Sequence, residues 1–147
     1  MSSTQLQKKT QSDSMLDGRW FNQHNSEIQI SVHDDGLLRG FLRIEKSMNG
    51  KEEYPLTGFF SGDAIAFCVR FDDHNCVTAW SGHIADVPDC PEEKVLVTLW
   101  QMSVGVGHQA EKLHLSIFSG ADNFVRQPNA SRAANSRPSH PLSHPKQ

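Results

Sequence analysis

The chain has 147 residues, 37% of them hydrophobic, and a formal net charge of −3 from 14 Lys plus Arg and 17 Asp plus Glu. That is one domain's worth of sequence, with an apolar share low enough to leave part of it outside the core. A basic nucleic-acid footprint is not expected, and no apolar run reaches the roughly 18–20 residues of a membrane-crossing helix. The first residues hold no apolar stretch of the kind a secretory signal carries, so a cytoplasmic protein is the default expectation, the alternative being a leader that has been replaced.

In chain order, residues 1–16 are rich in Ser, Gln and Lys and read as a disordered leader. From Asp17 to Gln127 the apolar period is two almost throughout. Ile28, Ile30 and Val32 share a face with Ser26, while Glu27, Gln29 and Ser31 take the other. Leu38, Leu42 and Ile44 alternate with Arg39, Arg43 and Glu45. Further on, Ile65, Phe67, Val69 and Phe71 alternate with Ala64, Ala66, Cys68 and Arg70. Turn residues punctuate these runs at His33–Gly36, Met48–Gly50, Ser61–Asp63 and Asp72–Asn75. The pattern predicts eight strands at 18–23, 26–33, 37–46, 54–61, 64–71, 76–85, 94–103 and 111–126. Short connections favour an antiparallel meander, and eight strands suit a closed up-and-down barrel: an all-β fold whose interior can hold one small ligand. Residues 128–147, with four prolines and Leu142 as the one large apolar residue, read as a disordered tail.

The last two predicted strands depart from simple alternation. Leu96, Trp100 and Met102 share one face of 94–103, but Val95, Val97 and Leu99 fill the other. Leu113, Leu115 and Ile117 form an apolar row in 111–126, with Ser116, Phe118 and Asp122 opposite. A strand apolar on both faces needs cover on both. With no helix to supply it, a homo-oligomer assembled through these two strands is expected, as dimer or tetramer.

Parity aims Trp20, Asn22 and Ser26 inward near one end of the barrel, with Thr78, Trp80, Trp100 and the late Asp122. Aromatic walls with a few convergent polar groups are how small-ligand pockets are built, although the same residues would also serve as core and turn. The three cysteines, Cys68, Cys76 and Cys90, include no CxxC and read as free thiols, with one disulfide as the alternative. An enzyme built on Cys76, His74 and Asp73 lacks an identifiable stabiliser for developing charge, so no catalytic residue, metal or cofactor is expected. A pure protein-interaction barrel conflicts with burying Asn22, Ser26 and Asp122 without a ligand.

Six segments, in order and with similar spacing, resemble the avidin and streptavidin family: Gly18-Arg19-Trp20-Phe21-Asn22-Gln23 with Ser26, Tyr54-Pro55-Leu56-Thr57-Gly58, Ile65-Ala66-Phe67, Thr78-Ala79-Trp80-Ser81-Gly82, Thr98-Leu99-Trp100 and Gly120-Ala121-Asp122-Asn123-Phe124. The second and third are closest in look to the dimeric bacterial avidins. The resemblance implies a non-catalytic barrel with biotin inside. It implies that Asn22 and Ser26 donate to the ureido oxygen, Asp122 accepts from a ureido N–H, and Thr78 meets the ring sulfur. Trp80, Trp100 and Phe71 would wall the bicyclic ring, Cys76 would stand where a serine often meets the carboxylate, and Met102 and Phe118 would complete the apolar wall. Against the family pattern, Leu42 replaces a ureido-binding tyrosine, Ile44 replaces a serine, His114 stands in the place of the tryptophan lent by a neighbouring subunit, and Ser47 to Glu53 contains no stapling cysteine. Each missing hydrogen bond to a buried group removes about 1–3 kcal/mol, so an affinity below that of avidin or streptavidin is implied. A greasier wall at Leu42 and Ile44 also suits a different, less polar small molecule, the alternative occupant of the same barrel.

Overall fold

The computed structural model describes residues 15–46, 50–72, 75–107 and 116–128. Eight strands run in chain order: β1 (Gly18–Phe21), β2 (Glu27–Val32), β3 (Leu37–Lys46), β4 (Gly50–Ser61), β5 (Ala64–Phe71), β6 (Cys76–Val87), β7 (Cys90–Val104) and β8 (Ile117–Phe124). Each pairs antiparallel with its chain neighbours in one sheet of order β1 to β8, the meander that the alternating pattern predicts. The sheet curls until its edges meet. Phe21 and Val125 exchange two backbone hydrogen bonds, of 2.7 and 2.8 Å, which join the end of β1 to the residue just after β8.

Inward positions follow the period of two. Ile28, Ile30, Leu38, Leu42, Leu56, Ile65, Phe67, Val69, Trp80, Leu96 and Phe124 form one continuous core. On the inner face, Gly40, Gly58 and Gly82 sit where the backbone of a neighbouring strand passes close. A Cβ on Gly40 would lie 1.7 Å from the carbonyl oxygen of Gln29 on β2, so any side chain there forces β2 and β3 apart.

Several boundaries differ from the sequence reading. Strand β1 ends at Phe21, so Asn22 and Ser26 lie in the β1–β2 connection rather than within strands. Strand β4 begins at Gly50, because the polar run before Tyr54 pairs along β3 from Lys46 inward. Strands β6 and β7 extend to Val87 and from Cys90, joined across Pro88 and Asp89, the latter at φ 69°. Apolar periodicity sees none of these ends, because the strand tips pair through the backbone while carrying polar side chains. Residues 111–115 of the last predicted strand, with Leu113, His114 and Leu115, lie outside the described residues.

The meander gathers its connections at two ends. One end holds the turns at Asp34–Gly36, 62–63 and 88–89 together with the entry into β1. Leu16, which composition assigns to the leader, is 1% exposed here and belongs to the core. The Trp20 indole N–H donates to the Leu16 carbonyl at 3.0 Å. The Arg126 guanidinium lies 3.9 Å above the Trp20 ring and donates to the carbonyls of Arg19 and Met15. Burial pulls the Arg126 pKa below its usual value, with Asp17 acting in the opposite direction. This end is therefore stoppered, and the β1–β2 connection lies at the other.

Glu27 sits on the outward face and is nevertheless buried. Arg19 and Arg43 reach it at 2.7 and 3.0 Å, and Arg43 also binds Glu53 at 2.6 Å, so long guanidinium side chains roof the carboxylate. All three cysteines are free. No helix among the described residues is long and apolar enough to cross a membrane. Gly40→Ala should destabilise the barrel by about 3 kcal/mol or more, since backbone rather than a flexible side chain must yield; chemical denaturation of the variant against the parent measures it.

Candidate functional site

At the open end, the β1–β2 connection is built around the Asn22 side chain. Its Oδ1 accepts the backbone N–H groups of His24 and Ser26, both at 2.9 Å, and the Asn22 and Ser26 backbones are themselves bonded. An asparagine that folds its own turn leaves its amide N–H free to point elsewhere. Here Nδ2 points to Asp122 Oδ2 at 3.4 Å.

Asp122 is the centre of the cluster. It is 4% exposed. Trp80 Nε1 donates to Oδ2 at 2.9 Å, and Gln23 Nε2 donates to Oδ1 at 3.2 Å. Gln23 also donates to the Ala121 carbonyl and accepts from the Asn123 N–H, which binds the connection to β8. Beneath the carboxylate, the Thr98 hydroxyl donates to the Asp122 carbonyl at 2.8 Å. A buried carboxylate is tolerated because N–H donors from two other elements surround it.

The aromatic walls follow from cross-strand register. Trp80 faces Phe67 on β5 and Trp100 on β7. Phe67 and Trp80 stack with ring centroids 5.1 Å apart. Trp100 lies opposite Gly120, where a Cβ would fall 2.5 Å from its Cζ2, so the glycine makes room for the indole. Thr78 is buried between Val69 and Met102 on its neighbouring strands, and Met102 faces Phe118. Phe71 and Cys76 pair across β5 and β6, both buried. Burial pushes the Cys76 thiol above its usual pKa, which keeps it protonated at neutral pH. A cavity of about 420 Å³ at the rim is lined by Phe71, Asn75, Cys76 and Val104 among others.

The structure thus brings Asn22, Trp80 and Asp122 into one bonded cluster, with Thr78, Trp100, Met102 and Phe118 beside it on β6, β7 and β8. Leu42 is buried and Ile44 half-buried on the facing wall, on β3. Sequence reading missed Gln23, whose role depends on a loop that has no period. It also missed Thr98, which shares the inward parity of Leu96 and Trp100. No group of three His, Cys, Asp or Glu suited to a metal occurs among the described residues.

An antiparallel barrel, stoppered at one end and lined at the other by tryptophans around a buried polar cluster, is a container for a small molecule. Residues 10–127 match the Avidin family, and the chain belongs to that family. Among solved structures, apo shwanavidin is 26% identical with a TM-score of 0.61, covering 76% of this chain and 100% of that one. The rhizavidin–biotin complex is 26% identical with a TM-score of 0.59, covering 77% and 92%. Xenavidin, at 23% identity and a TM-score of 0.67 over 82% and 100%, shares the fold. A search of curated proteins returns no match. Members of the family are binders and not enzymes, and so is this chain.

Asp122→Asn turns one acceptor into a donor that faces Trp80, Asn22 and Gln23. At about 1–3 kcal/mol for a disrupted buried hydrogen bond, the melting temperature should fall by roughly 4–15 °C, read by calorimetry on the ligand-free protein.

Proposed function

We propose that the chain binds biotin inside the barrel, without catalysis, with Asn22 and Ser26 at the ureido oxygen and Asp122 at a ureido N–H. The observation that carries this reading is the Asp122 cluster: a buried carboxylate at the open end, oriented by Trp80, Asn22 and Gln23 and flanked by Trp100. Support also comes from solved relatives whose structures hold biotin, rhizavidin and a point variant of shwanavidin. Trp80, Trp100 and Phe71 wall the ring system; Thr78, Cys76, Met102 and Phe118 line the rest. Leu42 and Ile44 supply apolar contact where polar groups would hold the ureido more firmly, so the affinity falls below that of avidin or streptavidin. No cofactor takes part.

The same wall supports the second reading, a less polar ligand in the same container. Calorimetric titration with biotin separates the two. Saturable binding that Trp100→Ala weakens at least 10-fold in a folded protein supports biotin. Heat-free titration, with no rise in melting temperature, supports the other ligand class.

The protein acts as a homo-oligomer in this proposal, a dimer or a tetramer. On the outward faces Leu99 is 64% exposed and Phe59 62%, with Val77, Val97 and Ile117 also exposed, so large apolar side chains face outward on β4, β6, β7 and β8. Val95, which parity also places outward, is half-buried. At micromolar concentration sedimentation should report at least a dimer, and Leu99→Lys should shift it toward monomer.

A further inference from the structure

Ser26 is followed directly by Glu27, the first residue of β2, which pairs with Phe21 at the last rung before the β1–β2 connection. On its other side Glu27 pairs with Arg43 of β3, and Arg43 pairs with Glu53 of β4. Alternation with the buried Ile28, Leu42 and Tyr54 puts these three side chains on the outer face, yet Glu27 is 4% exposed. Its Oε2 accepts from Arg19 Nε at 2.7 Å and from Arg43 Nη1 at 3.0 Å, and Arg43 Nε donates to Glu53 at 2.6 Å. Two cations and two anions thus form one row across β1, β2, β3 and β4. The hydrogen bond to Glu53, with Glu27 adding to it against the pull of burial, raises the Arg43 pKa, so the guanidinium stays charged.

A buried ion pair adds little net stability compared with an apolar replacement; its best-attested use is to fix geometry. Here that geometry is the Asn22–Ser26 turn. The Ser26 N–H donates to Asn22 Oδ1 at 2.9 Å, and the Asn22 N–H donates to the Ser26 carbonyl at 3.0 Å. The turn is therefore tied to Glu27 through the chain and through both bonds. It is held on two sides: Gln23 binds it to Ala121, Asp122 and Asn123 on β8, and Glu27 binds it to β3 and, through Arg43, to β4. The separation of Asn22 and Ser26 from Asp122 is set between these two anchors.

We propose that Glu27 is a positioning residue of the binding site: gripped by Arg19 and Arg43 on the outer face, it holds Asn22 and Ser26 at the spacing from Asp122 that the ureido group requires. The proposal rests on the biotin reading and deepens it, placing part of the selectivity in charges that do not touch the ligand.

Two double-variant cycles test it, read by calorimetric titration of biotin into the full chain. Glu27→Gln keeps the size and an acceptor oxygen but removes the charge that both arginines grip, and should weaken biotin binding roughly 10-fold. Because Glu27 acts through Ser26, the affinity loss from Ser26→Ala should be at least about threefold smaller in the Glu27→Gln background than in the parent. Thr78→Val, on β6 and away from the turn, should lower affinity by the same factor in both backgrounds. A merely structural role for Glu27 would lower the melting temperature without this selective coupling. Arg43→Lys, which keeps a cation but cannot fork between Glu27 and Glu53, should couple to Ser26 in the same way, and it takes the place of Glu27→Gln if that variant does not fold. Independent losses at Glu27 and Ser26 in a folded double variant, or unchanged biotin affinity in Glu27→Gln, overturn the positioning role and leave biotin binding in place. Failure of the parent chain to bind biotin overturns the biotin reading and the positioning role with it.

Discussion

The Asp122 carboxylate accepts N–H groups from Trp80 on β6 and from Asn22 and Gln23 in the β1–β2 connection. Those bonds do two things at once. They span the seam where the first and last strands meet, beside the Phe21–Val125 backbone pair, and they orient Asn22, Gln23 and Trp80 around one carboxylate. The price of a buried charge is desolvation, and it is met only because the donors come from elements that closure brings together. Barrel closure and site assembly are therefore one event in this molecule.

The opposite end is held by different physics. Trp20 is fully buried, its indole N–H is satisfied by Leu16, and Arg126 covers its face. A cation over an indole also supplies donors to two backbone carbonyls that the chain leaves open on entering β1. Trp20, Leu16 and Arg126 thus fill this end of the barrel. The charged roof of Arg19, Glu27, Arg43 and Glu53 on β1 to β4 contrasts with the apolar outer surface of β4 to β8. One side of the barrel carries paired charges outward and the other carries exposed apolar side chains.

The arrangement of polarity inside the cavity also has a structural logic. A wall built from two paired strands presents side chains from both, so an apolar substitution on β3 does not by itself make the wall apolar. Leu42 and Ile44 look like simple losses in a linear reading, but each lies directly beside a polar residue of β4. Function in a barrel is a property of rows across strands, and a row is invisible until the register is known.

Much was legible beforehand. The period of two in β2, β3 and β5, interrupted by short turn clusters, determined the all-β class, the strand order and the inward set from Ile28 to Phe71, because a half-buried strand must alternate. The six family-like segments pointed to Asn22, Trp80, Trp100 and Asp122, and these residues do converge. What the linear chain could not decide was anything that depends on contact between distant segments. Gln23 is a loop residue until β8 arrives beside it; Glu27 reads as surface until two arginines cover it. Leu16 reads as leader until the Trp20 indole donates to its carbonyl. Alternation records only which side of a strand meets water, whereas hydrogen-bond partners about a hundred residues apart, such as Asn22 and Asp122, are set by the register and curl of the closed sheet.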